Sequence, residues 1–185
     1  MTGVRTAVAG PGPAVRLLAT LLAATYLFAG GWLATLVLAG SLAPGWSAHV
    51  VTSGSMAPAL RPGDVVLTSP VATEAVQPGS VVTFHDSGAL VTHRVVQAHP
   101  DGSWTTRGDA NPTPDTARLT PDRVVGIGRV VVPLAGYPVH WLRERHGAAL
   151  AAWIVGTVAA VVLVASRAPL AGSRRAPGPG DWGAR

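Results

Sequence analysis

Val51-Thr52-Ser53-Gly54-Ser55-Met56-Ala57-Pro58 stands where a long apolar run gives way to short β-branched segments, and the reading of the whole chain turns on it. Taken alone, Ser and Gly residues closed by a Pro describe a plain turn. The residues that follow add an ordered series of signals. Arg61-Pro62-Gly63-Asp64 opens a strand, Thr92-His93-Arg94 lies inside a later one, and Arg107-Gly108-Asp109 leads on to Asp115. A hydroxyl, an imidazole and a carboxylate are the parts of a nucleophilic serine site. Ser55 is the candidate nucleophile.

Upstream of this loop, Leu17 to Ala43 is almost wholly apolar, interrupted before Ser41 only by Thr20, Thr25 and Thr35. About 20 apolar residues span a bilayer as a helix, so the run suffices with some tilt. Ser41-Leu42-Ala43 resembles a signal-peptide cleavage site, but the run is longer than a signal peptide's apolar core and Pro44 follows directly. A retained anchor is expected. A second run, Ala148 to Ala165, meets the length for another span. Arg5 and Arg16 precede the first run, and Arg167, Arg174 and Arg175 follow the second. The positive-inside rule then puts both termini in the cytoplasm and the segment between the runs outside.

That intervening segment reads as β. Val65-Val66-Leu67, Val81-Val82-Thr83-Phe84, Leu90-Val91-Thr92, Val95-Val96 and Val124 to Val132 are rich in β-branched residues, and no stretch between them has a helical period. Pro62-Gly63 and Pro78-Gly79 suit the centres of type II turns, and Asp86-Ser87-Gly88 suits a hairpin connection. The expected fold class is mainly β: a small, partly closed antiparallel domain between two transmembrane helices. Its expected divisions are a cytoplasmic lead at 1–16, a transmembrane helix at 17–43, an extracytoplasmic β-domain at 44–146, a second transmembrane helix at 147–166 and a disordered cytoplasmic tail at 167–185.

Composition narrows the chemistry. Among 185 residues the apolar share is 48%, and there is no Cys, which excludes disulfides, thiolate metal sites and a cysteine nucleophile. The formal charge is +5, yet no basic stripe with interleaved aromatics appears, so nucleic acid is not an expected partner. All 14 basic residues other than His are Arg. Without any Lys a Ser–Lys dyad is impossible, and a nucleophilic Ser55 requires a His as its base. Of the six His residues, His49, His140 and His146 lie near the apolar runs, while His85 and His99 sit beside turn residues. Only His93 falls within a β segment; Arg94 alternates to the opposite face and need not approach the site. The Pro-rich loop Gly108 to Asp115 offers two carboxylates, Asp109 and Asp115, to orient the imidazole. Gly54 is expected to let the backbone turn sharply and expose the Ser55 hydroxyl. Ser53, with the Ser55 N–H, can form an oxyanion hole, although a turn-capping role serves Ser53 equally well.

Ser53-Gly54-Ser55-Met56-x-Pro58, Arg61-x-Gly63-Asp64-Val65-Val66, Gly79-x-Val81-Val82-x-Phe84, His93-Arg94-Val95 and Arg107-Gly108-Asp109-x-Asn111-x-x-x-Asp115 together resemble the type I signal peptidases. The histidine is similar to the branch that includes the endoplasmic-reticulum, archaeal and some Gram-positive enzymes. The resemblance runs from about Val50 to Tyr137. It implies a membrane-bound serine endopeptidase that removes signal peptides from exported preproteins through an acyl-enzyme, with no metal or organic cofactor. By the same resemblance Ser55 is the nucleophile, His93 the general base, Asp115 the carboxylate partner and Asp109 a supporting acid, while the exported preproteins, the lipid bilayer and the secretion translocon are the partners. Three positions depart from the family pattern: Ala110 for an Asn, Ser80 for an acidic residue, and Pro114 for an Asp often found beside the catalytic one. The choice between Asp115 and Asp109 therefore falls to geometry. Two other readings compete. A non-catalytic membrane β-module acting as an assembly or adaptor subunit accounts for the anchors and strands but not for the ordered Ser, His and Asp. A self-cleaving regulatory protease would need a cleavable internal segment and a partner domain that the sequence does not show.

Overall fold

The computed structural model describes residues 12–70 and 75–166. Most of the lead expected at 1–16 and the tail expected at 167–185 lie outside the described residues. In chain order the elements are α1 (Pro13–Leu42), β1 (Ser47–Val50), β2 (Val65–Ser69), β3 (Val81–Asp86), β4 (Ala89–Ala98), β5 (Trp104–Arg107), a 3-10 turn (Pro121–Arg123), β6 (Val124–Val132), α2 (Tyr137–Arg143) and α3 (Gly147–Ala165). All six strands join one antiparallel sheet in the order β1-β2-β6-β3-β4-β5. The sheet domain thus lies between two helices in sequence. β1 and β5 are its outer strands, with no ladder between them.

The turns follow the sequence chemistry closely. In Arg61–Asp64 and Gln77–Ser80 the fourth N–H returns to the first carbonyl, and Gly63 and Gly79 take φ of 92° and 97° at the third position. Those are type II turns, for which glycine is the residue without steric penalty. At the β3–β4 hairpin Asp86 pairs with Ala89, and the two residues between, Ser87 and Gly88, both have positive φ (48° and 82°). A two-residue loop of this kind matches the right-handed twist of the strands it joins. The segments expected at Leu90–Thr92 and Val95–Val96 are one strand, β4, bulged between Val95 and Gln97.

β2 shows why its sequence lacks polar alternation. All five of its residues are buried, because both of its faces are covered. Val66 packs with Met56 and Leu60 on one side, while Val65 and Leu67 pack with Val132, Trp46, Val50 and the α1 residues Leu33 and Val37 on the other. A third cluster holds Val82, Phe84, Val95, Trp104, Leu119 and Ile127 on one face of the central strands.

The helix α2, β1 and β5 were not expected from residue pattern. α2 is only seven residues long, too short for a period to register, and its placement depends on a distant contact. The Tyr137 ring lies against Gly63, where an added Cβ would fall 2.7 Å from it, and the Gly136 N–H donates to the Gly63 carbonyl. Asp64, which reads as a turn residue, is buried and accepts from the backbone N–H groups of both Arg61 and Leu134. It ties the start of β2 to the segment that leads into α2.

Two compact units make up the chain. One is Phe28–Gly156, containing the sheet. The other contains the described residues 12–27 and 157–166, where the Tyr26 hydroxyl lies 2.7 Å from Thr157 Oγ1. Both α1 and α3 are long and apolar enough to cross a membrane, with mean hydropathies of 1.8 and 2.4. α1 begins at Pro13 and α3 at Gly147, slightly earlier than the runs read from sequence.

Candidate active site

Ser55 lies in the loop between β1 and β2, and the residue after it fixes the loop. Met56 is 1% exposed, packed with Leu60 and Val66, so the backbone is clamped to the core while Ser55 itself stays partly accessible. A second clamp comes from the β5–β6 connection. The Ala110 N–H donates to the Ser55 carbonyl at 2.9 Å, and Gly108 passes so near that an added Cβ would fall 2.5 Å from that same oxygen. Glycine is required at Gly108 by this close approach. Gly54 has a different character from the one expected: its φ is not in the left-handed region, and a Cβ there would meet nothing within 4 Å. Ser55 is held by the burial of Met56 after it and by the contacts at its own carbonyl.

His93 points from β4 into the same place. Its Nε2 lies 3.2 Å from Ser55 Oγ and its Nδ1 lies 2.7 Å from Asp115 Oδ2. The residue is 8% exposed and its ring meets Phe84 edge-on, with centroids 6.3 Å apart. A carboxylate only accepts, so the Nδ1 atom carries the proton and Nε2 is left as the acceptor for the Ser55 hydroxyl. That is the tautomer a general base needs. Ser53 Oγ is 3.2 Å from Ser55 Oγ, within reach of an oxygen that develops beside it.

The two loop carboxylates are divided between two partners. Asp115 takes His93; Asp109 takes Arg94, through Nε at 2.8 Å and a second prong at 2.6 Å. Arg94 also donates to the Gly79 carbonyl. The side chain does alternate away from His93, but its length brings it to the Gly108–Asp115 loop after all, which residue alternation alone does not reveal. Hydrogen bonds from Arg94 hold the Asp109 carboxyl below the ordinary carboxylate range, against the opposing pull of burial, and the same bonds raise the Arg94 guanidinium.

Thr106 is the residue that sequence reading missed. It is fully buried in β5, its hydroxyl donates to Asp115 Oδ2 at 2.6 Å, and its carbonyl accepts the Asp115 N–H at 2.8 Å. A threonine in a strand is so ordinary that nothing in the sequence sets it apart. Of the other histidines, His49 bonds Thr68 and His99 bonds Thr105, while His140 stacks edge-on with Tyr137 and His146 and its buried Nδ1 has no hydrogen-bond partner among the described residues. Burial lowers the His49 imidazole below its usual range, with the nearby His85 adding to the effect. A cavity of about 210 Å³ opens beside the site, lined by His93, Asp115, Phe84, Val91 and the Asp86–Arg123 ion pair.

Among the described residues no group of three or more His, Cys, Asp or Glu side chains is placed to hold a metal ion. Compared with known protein families and with curated proteins, the chain matches none.

Proposed function

We propose that the chain is a membrane-bound serine endopeptidase of the signal-peptidase type, cutting signal peptides from exported preproteins. The observation that carries this reading is the hydrogen-bonded series Ser55 Oγ–His93 Nε2 and His93 Nδ1–Asp115 Oδ2, at 3.2 Å and 2.7 Å. These groups come from three separate elements, β4 and two loops. In the proposed reaction Ser55 Oγ attacks the scissile carbonyl and its proton passes to His93 Nε2, while Asp115 stabilises the imidazolium. The tetrahedral oxyanion accepts from the Ser55 N–H and the Ser53 hydroxyl. Collapse expels the mature protein's new N-terminus, which takes the proton from His93, and leaves the signal peptide esterified to Ser55. A water that gives its proton to His93 then hydrolyses the ester.

The membrane setting of this proposal rests on α1 and α3. With Arg5 before α1, Arg16 in its first turn, and Arg167, Arg174 and Arg175 after α3, the positive-inside rule puts both termini in the cytoplasm and the sheet domain outside. Leu33 and Val37 of α1 pack on the same cluster as β2, so the domain stays close to its anchor. A site held there meets a membrane-inserted signal peptide at the end of its apolar core. The preprotein would bind as an extended strand, with shallow pockets taking small residues before the cut.

Cleavage of a labelled preprotein in lipid vesicles tests the proposal. Ser55→Ala and His93→Ala should each reduce the rate about 10⁶-fold, and Asp115→Asn about 10⁴-fold. An adaptor or assembly subunit would keep its function with Ser55→Ala, and that result would replace the enzymatic reading.

A further inference from the structure

We infer that Thr106 is a positioning residue for the imidazole relay, acting through Asp115; the inference rests on the enzymatic reading above. Asp115 sits after Pro112 and Pro114 in a loop without regular secondary structure, and its side chain is 24% exposed. Among the described residues the hydrogen bonds given for the Asp115 carboxylate go to His93 and Thr106, both outside that loop. Thr106 holds it from beneath. Its carbonyl takes the Asp115 N–H and its hydroxyl donates to Oδ2, the same oxygen that accepts from His93 Nδ1.

Burial makes this contact more than a surface hydrogen bond. Thr106 is 0% exposed and lies opposite Val95 in the ladder, so its rotamer is fixed by the sheet. A hydroxyl has one proton to give, and here it goes to the carboxylate. Two donors on one oxygen fix the carboxylate's rotation and keep it an acceptor, which in turn keeps the proton on Nδ1 and leaves Nε2 facing Ser55. Thr106 touches neither substrate nor the reacting atoms.

The test uses the full chain in lipid vesicles with a labelled preprotein, and compares wild type, Thr106→Val, Thr106→Ser, Asp115→Asn and the Thr106→Val/Asp115→Asn pair. Thr106→Val keeps the side chain's shape and should lower kcat about 10- to 100-fold with KM unchanged, the worth of a hydrogen bond to a charged group. Thr106→Ser restores the donor and should recover most of the rate. In the Asp115→Asn background Thr106→Val should add no further loss, because the group it acts through is already changed. A Thr106→Val variant with wild-type kcat would overturn the inference. So would an equal fractional loss in both backgrounds, which marks a structural effect. Proton NMR of the wild-type chain in micelles supplies a readout that needs neither a folded variant nor a substrate. The Thr106 hydroxyl proton should exchange slowly and show a cross-relaxation contact to the His93 Nδ1 proton, and a freely exchanging hydroxyl without that contact overturns the inference. If wild type fails to cleave the preprotein, the enzymatic reading falls, while this NMR contact still judges the hydrogen-bond relay.

Discussion

Asp109 and Asp115 belong to one short loop and carry the same charge, yet their partners give them opposite duties. Asp109 faces a permanent cation; replacing it by Asn removes the charge and one of the two accepting oxygens, leaving Arg94, 34% exposed, with the Gly79 carbonyl and a single neutral amide oxygen. Asp109→Asn should therefore lower stability, by about 1–3 kcal/mol at neutral pH, read by chemical denaturation. Because the folded Asp109 carboxyl is held below its unfolded value, its contribution is fully present above the unfolded pKa and disappears as pH falls through the folded one. The gap between wild type and Asp109→Asn should accordingly be constant near neutrality and close below about pH 4. A gap that widened on acidification would contradict the ion-pair assignment. The glycines separate in the same way. Gly108→Ala should displace the Ser55 carbonyl and cut activity, whereas Gly54→Ala should leave the melting temperature unchanged, since its Cβ meets nothing. Residue types and their order made Ser55, His93 and both carboxylates legible in the sequence. The resemblance assigned Asp115 to the imidazole, but the residue pattern by itself left Asp109 open, because the division depends on the reach of Arg94 and on a buried threonine, neither of which leaves a local pattern.

At the scale of elements, legibility tracked whether a local signal decides the outcome. Pro-Gly and Ser-Gly pairs specify turn geometry within four residues, and β3, β4 and β6 announce themselves through β-branched runs. β1, β5 and α2 are each short, and each owes its conformation to a neighbour. β5 carries Thr106 and pairs with β4 along one edge; on the other, Trp104 exchanges both backbone hydrogen bonds with Leu119. α2 is seated by the Tyr137 ring on Gly63. A side chain at Gly63 would face both a positive φ and that ring, so Gly63→Val should destabilise the domain by more than the roughly 1–3 kcal/mol of backbone strain alone. A melting curve indistinguishable from wild type would show that α2 is not held through this contact.

Over the whole molecule, the two apolar helices were plain from hydropathy, since a run of that length needs no tertiary information. What hydropathy does not give is the polar contact between them. Tyr26 and Thr157 join their hydroxyls at 2.7 Å within one compact unit. Tyr26→Phe should weaken that helix pair by about 0.6 kcal/mol, the typical worth of an interhelical hydrogen bond in a membrane, measured by unfolding in detergent. α1 has a second task, because Leu33 and Val37 cover Val65, Leu67 and Val132 of the sheet. A chain starting after α1 should lose stability in the sheet itself, and equal stability with and without α1 would show that this cover contributes nothing.

The proposed function depends on the Ser55 hydroxyl becoming a nucleophile under His93. The direct measurement is mass spectrometry of the Asp115→Asn chain, acid-quenched during turnover of a preprotein and digested, to locate any ester intermediate. The predicted result is the signal peptide's new C-terminus esterified to Ser55, absent when His93 is also replaced by Ala. Cleavage proceeding with no adduct at Ser55, or with the adduct on another residue, would contradict it.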